Sequence, residues 1–544
     1  MSLNISNPST REKVDYILEE MKRVYKNDNR PWIIGYSGGK DSTAVVQLVF
    51  EMVSKLPINE RTKKIYIVSS DTLIENPIVL GYLKEASSLI DNAGRELNIA
   101  SHIVTPDVTN SYWYNIIGKG LPTPTSIRFR WCTERLKIKP SNQFIENTIK
   151  ENGEVIVLLG VRKAESIARK IRIQNREIEG YLLTPHTTLQ NTYVYNPVVD
   201  LTTDDVWEIL LSNNGINPWG GDNKELFSLY AGADAGECPF TITANEKGEI
   251  DTPSCGNSRF GCWICTVVKE DKSLTGFITN GEEWLYPLLE FREWILGIRN
   301  KHEYRQQYRR DGNHYYKKLY IKSIPLLEDY EINPDCIFSD PTKGLAYIDL
   351  KHKKSIHGNN PNTEEKDKVY LELLPMIDET KIDSSKILED EKGAFVNVLG
   401  YGPFNFEARK IILRKLLETQ KKINENVSGF DLITIDELKA IDNLWDNEED
   451  LGRTELVEIY YDVFGEKLPW HDFKKPIIDK EAMEKVKNLC EEFNVDIDLF
   501  NKLLIETNNN KLYTNKNHLS KSISKVLNQK YLHKTIIEEI DNVN

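Results

Sequence analysis

The run Pro31-Trp32-Ile33-Ile34-Gly35-Tyr36-Ser37-Gly38-Gly39-Lys40-Asp41-Ser42 narrows the fold of this chain more than any other stretch. An apolar, strand-prone segment enters a glycine turn, and a helical pattern runs from Ser42 to about Ser54. Strand, turn and helix in immediate succession make an anion site. Backbone N–H groups and the helix dipole face one point, and the glycines let a phosphate approach closely. The loop is not a Walker A loop, which would need glycine at position 34 and serine or threonine at position 41, where Ile34 and Asp41 stand.

The pattern around this turn repeats. Helical spacing covers Arg11 to Lys26, strands are expected at Lys64–Ser70, Ile99–Val104 and Glu154–Val161, and a helix at Pro77–Leu97. Strands alternating with helices predict an α/β fold, a mostly parallel sheet with helices on both faces and its ligands at the carboxyl ends of the strands. The alternation stops near Asn213. Three regions follow from this reading: 1–215 as the nucleotide domain, 216–345 as a cysteine-rich segment with a basic, aromatic helix, and 346–544 as an acidic, mainly helical C-terminal domain. Helices are expected over Leu285–Tyr320, Glu364–Leu373, Phe404–Asn424, Thr434–Trp445 and Lys480–Asn508.

Four of the seven cysteines lie within 28 residues: Cys238, Cys255, Cys262 and Cys265, the last pair forming Cys-x-x-Cys. An odd count in a chain of 544 residues speaks for a metal or redox site in a reducing compartment rather than a disulfide scaffold. Four soft ligands suit either zinc or a [4Fe-4S] cluster, and the spacing leaves both open. Cys132 sits between Arg130 and Thr133. There it is a persulfide carrier with a cation-lowered pKa, a fourth ligand in place of Cys238, or a small buried side chain. Cys336 and Cys490 stand alone and read as structural.

The loop Ser37-Gly38-Gly39-Lys40-Asp41-Ser42 after a strand resembles the PP-loop of the ATP-pyrophosphatases. Four further blocks are similar to the phosphoadenylylsulfate-reductase branch of that family. They are Asp71-Thr72; Arg130-Trp131-Cys132-Thr133 with Leu136-Lys137-Ile138-Lys139-Pro140; Gly160-Val161-Arg162 through Arg169; and Asn196-Pro197 through Trp207. The resemblance implies that the loop holds the pyrophosphate of ATP with Mg²⁺ sharing the charge, and that Asp71, Thr72 and Lys137 lie near the nucleotide. It casts Lys40, Asp41, Cys132, Arg162 and Arg169 as the catalytic set. Leu73-Ile74-Glu75-Asn76-Pro77 departs from the usual glycine-containing continuation of the Asp-Thr block. The core joined to this cysteine arrangement is similar to the DndC family of DNA phosphorothioation sulfurtransferases. That resemblance implies a [4Fe-4S] cluster on Cys238, Cys255, Cys262 and Cys265, DNA as substrate, a cysteine desulfurase as sulfur donor, and companion subunits (DndD, DndE) docking on the C-terminal region. Thiolation of a tRNA base and a non-catalytic assembly role are the competing functions.

Charge qualifies the DNA reading. The net charge is -13 and the sequence pI about 5.4, whereas a stand-alone nucleic-acid binder is usually basic. Lys301 to Tyr320 interleaves Arg305, Arg309, Arg310, Lys317 and Lys318 with tyrosines, which suits either a nucleic-acid face or a packed helix with solvated cations. No apolar run reaches a membrane span and the N-terminus lacks a signal-peptide pattern, so a cytoplasmic protein without membrane contact is expected.

Overall fold

A computed structural model describes residues 3–125, 129–165, 167–175, 181–233, 243–244, 250–251, 261–306, 308–310, 313, 316–320, 337–340, 345–349, 368–371, 388–390, 393–510 and 516–528. Contacts divide the chain into two compact units. The first comprises Met1–Arg299, Phe406–Asp446 and Arg453–Lys475; the second comprises Asn300–Asn405, Asn447–Gly452 and Pro476–Asn544.

The first unit is built on a six-stranded sheet of β1 (Trp32–Gly35), β2 (Ile65–Ser70), β3 (Ile99–Val104), β4 (Val155–Leu158), β5 (Thr184–Pro185) and β6 (Thr192–Tyr195), in the order β3-β2-β1-β4-β6-β5. All neighbours pair parallel except β5 with β6. The mostly parallel sheet expected from the alternating pattern is present. Successive residues alternate between two buried faces. Trp32, Ile34, Ile156 and Leu158 enter the larger core, while Ile33, Val155 and Val157 enter the smaller one. Burial on both faces explains why these strands read as continuous apolar runs rather than alternating ones.

Helices α1 (Pro8–Lys26), α2 (Lys40–Ser54) and α3 (Pro77–Gly94) feed the larger core, and α4 (Lys139–Asn152) covers the smaller with Phe144 and Ile145. Their starts are local chemistry. Asn7 and Asn76 cap α1 and α3, each accepting at 3.0 Å a backbone N–H two residues on and each followed by proline. After α5 (Ile167–Gln174), α6 (Thr203–Leu211) opens with a capping box between Thr202 and Asp205. Then come α7 (Asn223–Ala233), a short pair of strands β7 (Thr243–Ala244) and β8 (Ile250–Asp251), α8 (Lys272–Thr279) and α9 (Tyr286–Ile298).

Three helices from far along the chain complete this unit: α10 (Phe406–Asn424), α11 (Ile435–Glu448, which reaches past the unit's edge at Asp446) and α12 (Glu455–Phe464). The buried Trp113 donates from Nε1 to Leu432 O at 2.6 Å, and Trp445 donates to Ile117 O at 3.0 Å. The division at 345 expected from charge and composition therefore does not follow the contacts. The acidic surface of these helices conceals apolar faces that close the N-terminal unit.

The second unit contains a three-stranded sheet of β10 (Ile337–Asp340), β11 (Leu345–Asp349) and β12 (Lys368–Leu371), and another of β9 (Tyr316–Tyr320), β13 (Leu388–Asp390) and β14 (Gly393–Leu399), all antiparallel. It ends in α13 (Lys480–Glu492), α14 (Ile497–Asn509) and α15 (Lys516–Leu527). Three expected helices are corrected here. Among the described residues of Leu285–Tyr320 the α-helix ends at Ile298, a single 3₁₀ turn follows at His302–Tyr304, and the end is strand β9. Glu364–Leu373 contains strand β12, where Val369 and Tyr370 favour an extended chain. Lys480–Asn508 is two helices, broken where Asn494 adopts a left-handed φ of 58° and Asp496 caps the next helix. Among the described residues no helix is long and apolar enough to cross a membrane.

Candidate functional site

The carboxyl ends of β1, β2 and β4 lie side by side, and the loop Ser37–Ser42, Asp71 and Thr72 fall in the turns leaving β1 and β2, whereas Lys137 comes from the helical segment Thr133–Ile138. At the end of β1 the loop turns at Gly38 (φ 72°), where a side chain would also press on Leu83. Gly39 is the N-cap of α2, so Lys40, Asp41 and Ser42 form its first turn. The loop is braced internally. Ser42 Oγ accepts from Ser37 N at 3.2 Å and donates to Gly39 O at 2.9 Å, and Gly39 N donates to Ser37 Oγ at 3.4 Å. Lys40 is largely buried, with its ammonium 3.5 Å from Asp41 and 5.2 Å from the ring centroid of Tyr230. A buried cation beside a helix N-terminus is suited to a polyphosphate.

Arg162 reaches the loop from the turn after β4. It is 2% exposed, and its Nε donates to Asp41 Oδ1 at 2.6 Å while Nη1 donates to Leu201 O at 3.2 Å. This guanidinium orients Asp41 from behind. Gly160 permits the approach, since a Cβ there would stand 2.8 Å from the Asp41 carbonyl and Ser42 N. Arg169 lies on α5, its side chain outside the described residues, while Lys163 is engaged by Asp200 at 3.1 Å.

At the end of β2, Asp71 accepts from Leu73 N at 2.8 Å and approaches Lys84 at 3.8 Å. Leu73 holds a left-handed φ of 64°, a conformation a leucine rarely adopts. This places Thr72 Oγ1 3.0 Å from Glu75 Oε1, to which it donates, and 3.7 Å from Cys262 Sγ. Lys137 pairs with the same Glu75 oxygen at 2.9 Å. Desolvation pulls Lys137 down, but Glu75 and the thiols of Cys262 and Cys132 outweigh it and hold the ammonium above its ordinary value. Lys137 is thus shared between the nucleotide edge and the cysteines. Glu75, in the stretch that departs from the family pattern, is the joint.

The Cys-x-x-Cys segment docks on that turn. Asn76 N donates to Gly261 O at 3.2 Å, and Trp263 N to Ile74 O at 3.1 Å. Cys265 N closes the knuckle on Cys262 O at 3.1 Å, with Trp263 and Ile264 buried between the two cysteines. Buried Trp263 packs on Trp113 and Phe291, which fixes the knuckle from below. Arg292, fully buried on α9, donates to Cys265 O at 3.0 Å and Val268 O at 2.6 Å. Arg299 donates to Thr266 O at 2.7 Å and Pro124 O at 3.3 Å.

Cys132 ends a helical turn that continues as a π-helical segment, Thr133–Ile138, which carries Lys137. The thiols of Cys132, Cys262 and Cys265 share one environment. The Tyr112 hydroxyl is pushed up by burial and then by Cys132, Cys262 and Cys265 together. Burial, then Cys265, also pushes the Cys132 thiol up despite Arg130, which corrects the expectation that cations lower it. Burial and Glu75 push Cys262 up against Lys137. Soft thiols that repel one another when ionised suit a bound cation or cluster, so the donor chemistry fits. Cys238 and Cys255 lie outside the described residues, and among the described ones no three His, Cys, Asp or Glu side chains converge to hold a metal ion.

Two cations of the basic, aromatic stretch are engaged within the protein. Arg305 is buried, donates to Gly402 O at 2.7 Å and lies 4.8 Å over Phe404, and Arg310 pairs with Glu448 at 2.6 Å. Sequence reasoning missed Glu75, Tyr112, Tyr230, Arg292 and Arg299. Only Glu75 carried a signal, as part of the departure from the family motif.

Residues 31–267 match the family model of the phosphoadenosine phosphosulfate reductase domain. An uncharacterised protein of Methanocaldococcus jannaschii is 26% identical over 149 residues, covering 27% of this chain and 26% of that protein, so the chain spans about a quarter of that relative's length. Among solved structures, the Candida glabrata FMN adenylyltransferase with FAD and inorganic pyrophosphate aligns at 11% identity and a TM-score of 0.24, over 38% of this chain and 59% of its own. The U34-tRNA thiolase NcsA of Methanococcus maripaludis, with its [4Fe-4S] cluster, aligns at 13% identity and a TM-score of 0.24, over 52% of this chain and 80% of its own.

Proposed function

We propose that the chain, whose residues 31–267 carry a phosphoadenosine phosphosulfate reductase domain, is an ATP-pyrophosphatase that activates a phosphate of the DNA backbone and replaces a non-bridging oxygen with sulfur. The observation that carries this reading is the adjacency of two kinds of site. A phosphate-binding loop ends β1, and the neighbouring β2 ends in a turn whose Thr72 and Glu75 touch Cys262 and Lys137. Activation and sulfur delivery on one strand edge favour transfer to the group that ATP has just activated.

The loop N–H groups, Lys40 and Mg²⁺ would hold the β- and γ-phosphates, and their charge would stabilise the departing pyrophosphate. A non-bridging DNA oxygen attacks the α-phosphorus, giving a phosphoryl adenylate. Lys137 would then face both the adenylate and the thiols of Cys132 and Cys262. A persulfide sulfur attacks the DNA phosphorus and AMP leaves with the original oxygen; a second thiol then attacks the carrier sulfur, leaving a disulfide and the phosphorothioate. A [4Fe-4S] cluster on Cys238, Cys255, Cys262 and Cys265 would supply sulfur-binding and one-electron chemistry at this edge, with a cysteine desulfurase as sulfur source. Cys132 would either carry the sulfur or join the ligand set.

The test is to digest DNA and tRNA from cells carrying the gene and its neighbours, wild type against Lys40→Ala, and to analyse both by mass spectrometry. Phosphorothioate dinucleotides confined to the wild type are expected. A thiolated tRNA base lost in the variant, with no sulfur in DNA, would overturn the choice of acceptor.

A further inference from the structure

The phosphate loop is touched by a residue outside its motif. Tyr230, on α7, accepts the backbone N–H of Lys40 on its hydroxyl at 3.2 Å. That N–H belongs to the first turn of α2, whose donors have no partner within the helix and point to where a phosphate oxygen would bind. The fit is close. A Cβ on Gly39 would stand 3.3 Å from the same hydroxyl, and the Lys40 ammonium lies 5.2 Å from the Tyr230 ring centroid. The ring is held at its edge by Trp207 at 5.5 Å, so the hydroxyl does not swing aside on its own.

Helix α7 is pinned at its first turn. Asn223 donates from Nδ2 to Gln47 Oε1 on α2 at 2.9 Å and to Leu210 O on α6 at 2.8 Å. Tyr230 lies seven residues further on, about two turns. The ring contact with the loop and the anchor at Asn223 therefore sit at opposite ends of α7.

We infer that the Tyr230 hydroxyl competes with the pyrophosphate moiety of the nucleotide for the Lys40 N–H, making Tyr230 the residue through which loading of the loop moves α7. This inference rests on the ATP-pyrophosphatase reading. A hydroxyl acceptor is neutral and a pyrophosphate oxygen is charged, so the ligand takes the N–H but must first break the existing bond. Removing the hydroxyl therefore tightens ligand binding instead of weakening it.

The full-length wild type and Tyr230→Phe are titrated by calorimetry with magnesium pyrophosphate and separately with MgATP. The phenyl ring keeps its packing on Trp207 and Lys40, and a matched melting curve checks the fold. Tyr230→Phe should bind both ligands about two- to tenfold more tightly, the size of one ordinary hydrogen bond. Hydrogen exchange over 223–233 should change on adding pyrophosphate to the wild type. Unchanged or weaker binding in Tyr230→Phe, with normal binding by the wild type, overturns the inference alone; weaker binding would make the hydroxyl a phosphate ligand. Unaltered exchange in α7 overturns the coupling. A wild type that binds neither ligand overturns the ATP reading itself.

Discussion

Replacing Asp41 by alanine strands the Arg162 guanidinium in the interior, and the two sides of this pair should pay unequally. Arg162 is 2% exposed and would keep, among the described residues, Leu201 O at 3.2 Å and the Thr203 hydroxyl at 3.4 Å as guanidinium partners. Leaving a buried charge without its counter-ion costs about 3–5 kcal/mol. The Asp41 side chain is 18% exposed and stands 3.5 Å from the Lys40 ammonium, so Arg162→Leu leaves a carboxylate that water and Lys40 still serve. That change should cost about 1–3 kcal/mol, mostly through the Leu201 carbonyl losing its donor. The double variant buries no unpaired charge, so its cost should fall short of the sum by about 2 kcal/mol. Urea unfolding of the four proteins, with AMP and pyrophosphate release measured on the same samples, completes the cycle. Single costs that add to within about 0.5 kcal/mol, or Arg162→Leu proving the more damaging, would refute the assignment of Arg162 as the support of Asp41.

Gly160→Ala should weaken MgATP binding at least about tenfold with the fold retained, because its Cβ would force Asp41 and Ser42 out of the first turn of α2; calorimetry checks it. Asp205 should govern acid stability. Burial alone would raise it, but Lys13, Thr202 and Thr10 hold it down at about 2, below its ordinary 3.8. A depressed folded value stabilises above the unfolded value, so about 2 kcal/mol is present at pH 7 and is lost as pH falls from about 4 to 2. Asp205→Asn should lose that amount at pH 7 and converge on the wild type near pH 2 in urea titrations. Arg305→Met should destabilise the second unit while leaving the salt dependence of DNA binding unchanged, since its guanidinium serves Gly402 O. Anaerobically purified Cys132→Ser should contain less iron than the wild type if Cys132 joins the ligand set, and full iron but no product if it carries sulfur.

The sequence by itself determined what depends on neighbours along the chain. The strand–turn–helix of residues 31–54 and the alternation of strands with helices that announced a parallel sheet are short-range matters of apolar runs and glycine freedom, as are the caps that the structure shows at Asn7, Asn76 and Thr202. Only the tertiary structure decided what depends on partners distant in sequence. Arg162 stood in the catalytic set by resemblance alone, and only packing revealed its partner Asp41, 121 residues away. Arg305 suited a nucleic-acid face and core packing equally until packing supplied Gly402 as its acceptor, and the acidic tail looked separate until Trp445 and the carbonyl of Leu432 met the N-terminal unit. A charged or aromatic side chain has the same composition whether it faces solvent, ligand or another side chain. Which of these it faces is set by burial, and burial is a property of the packed chain.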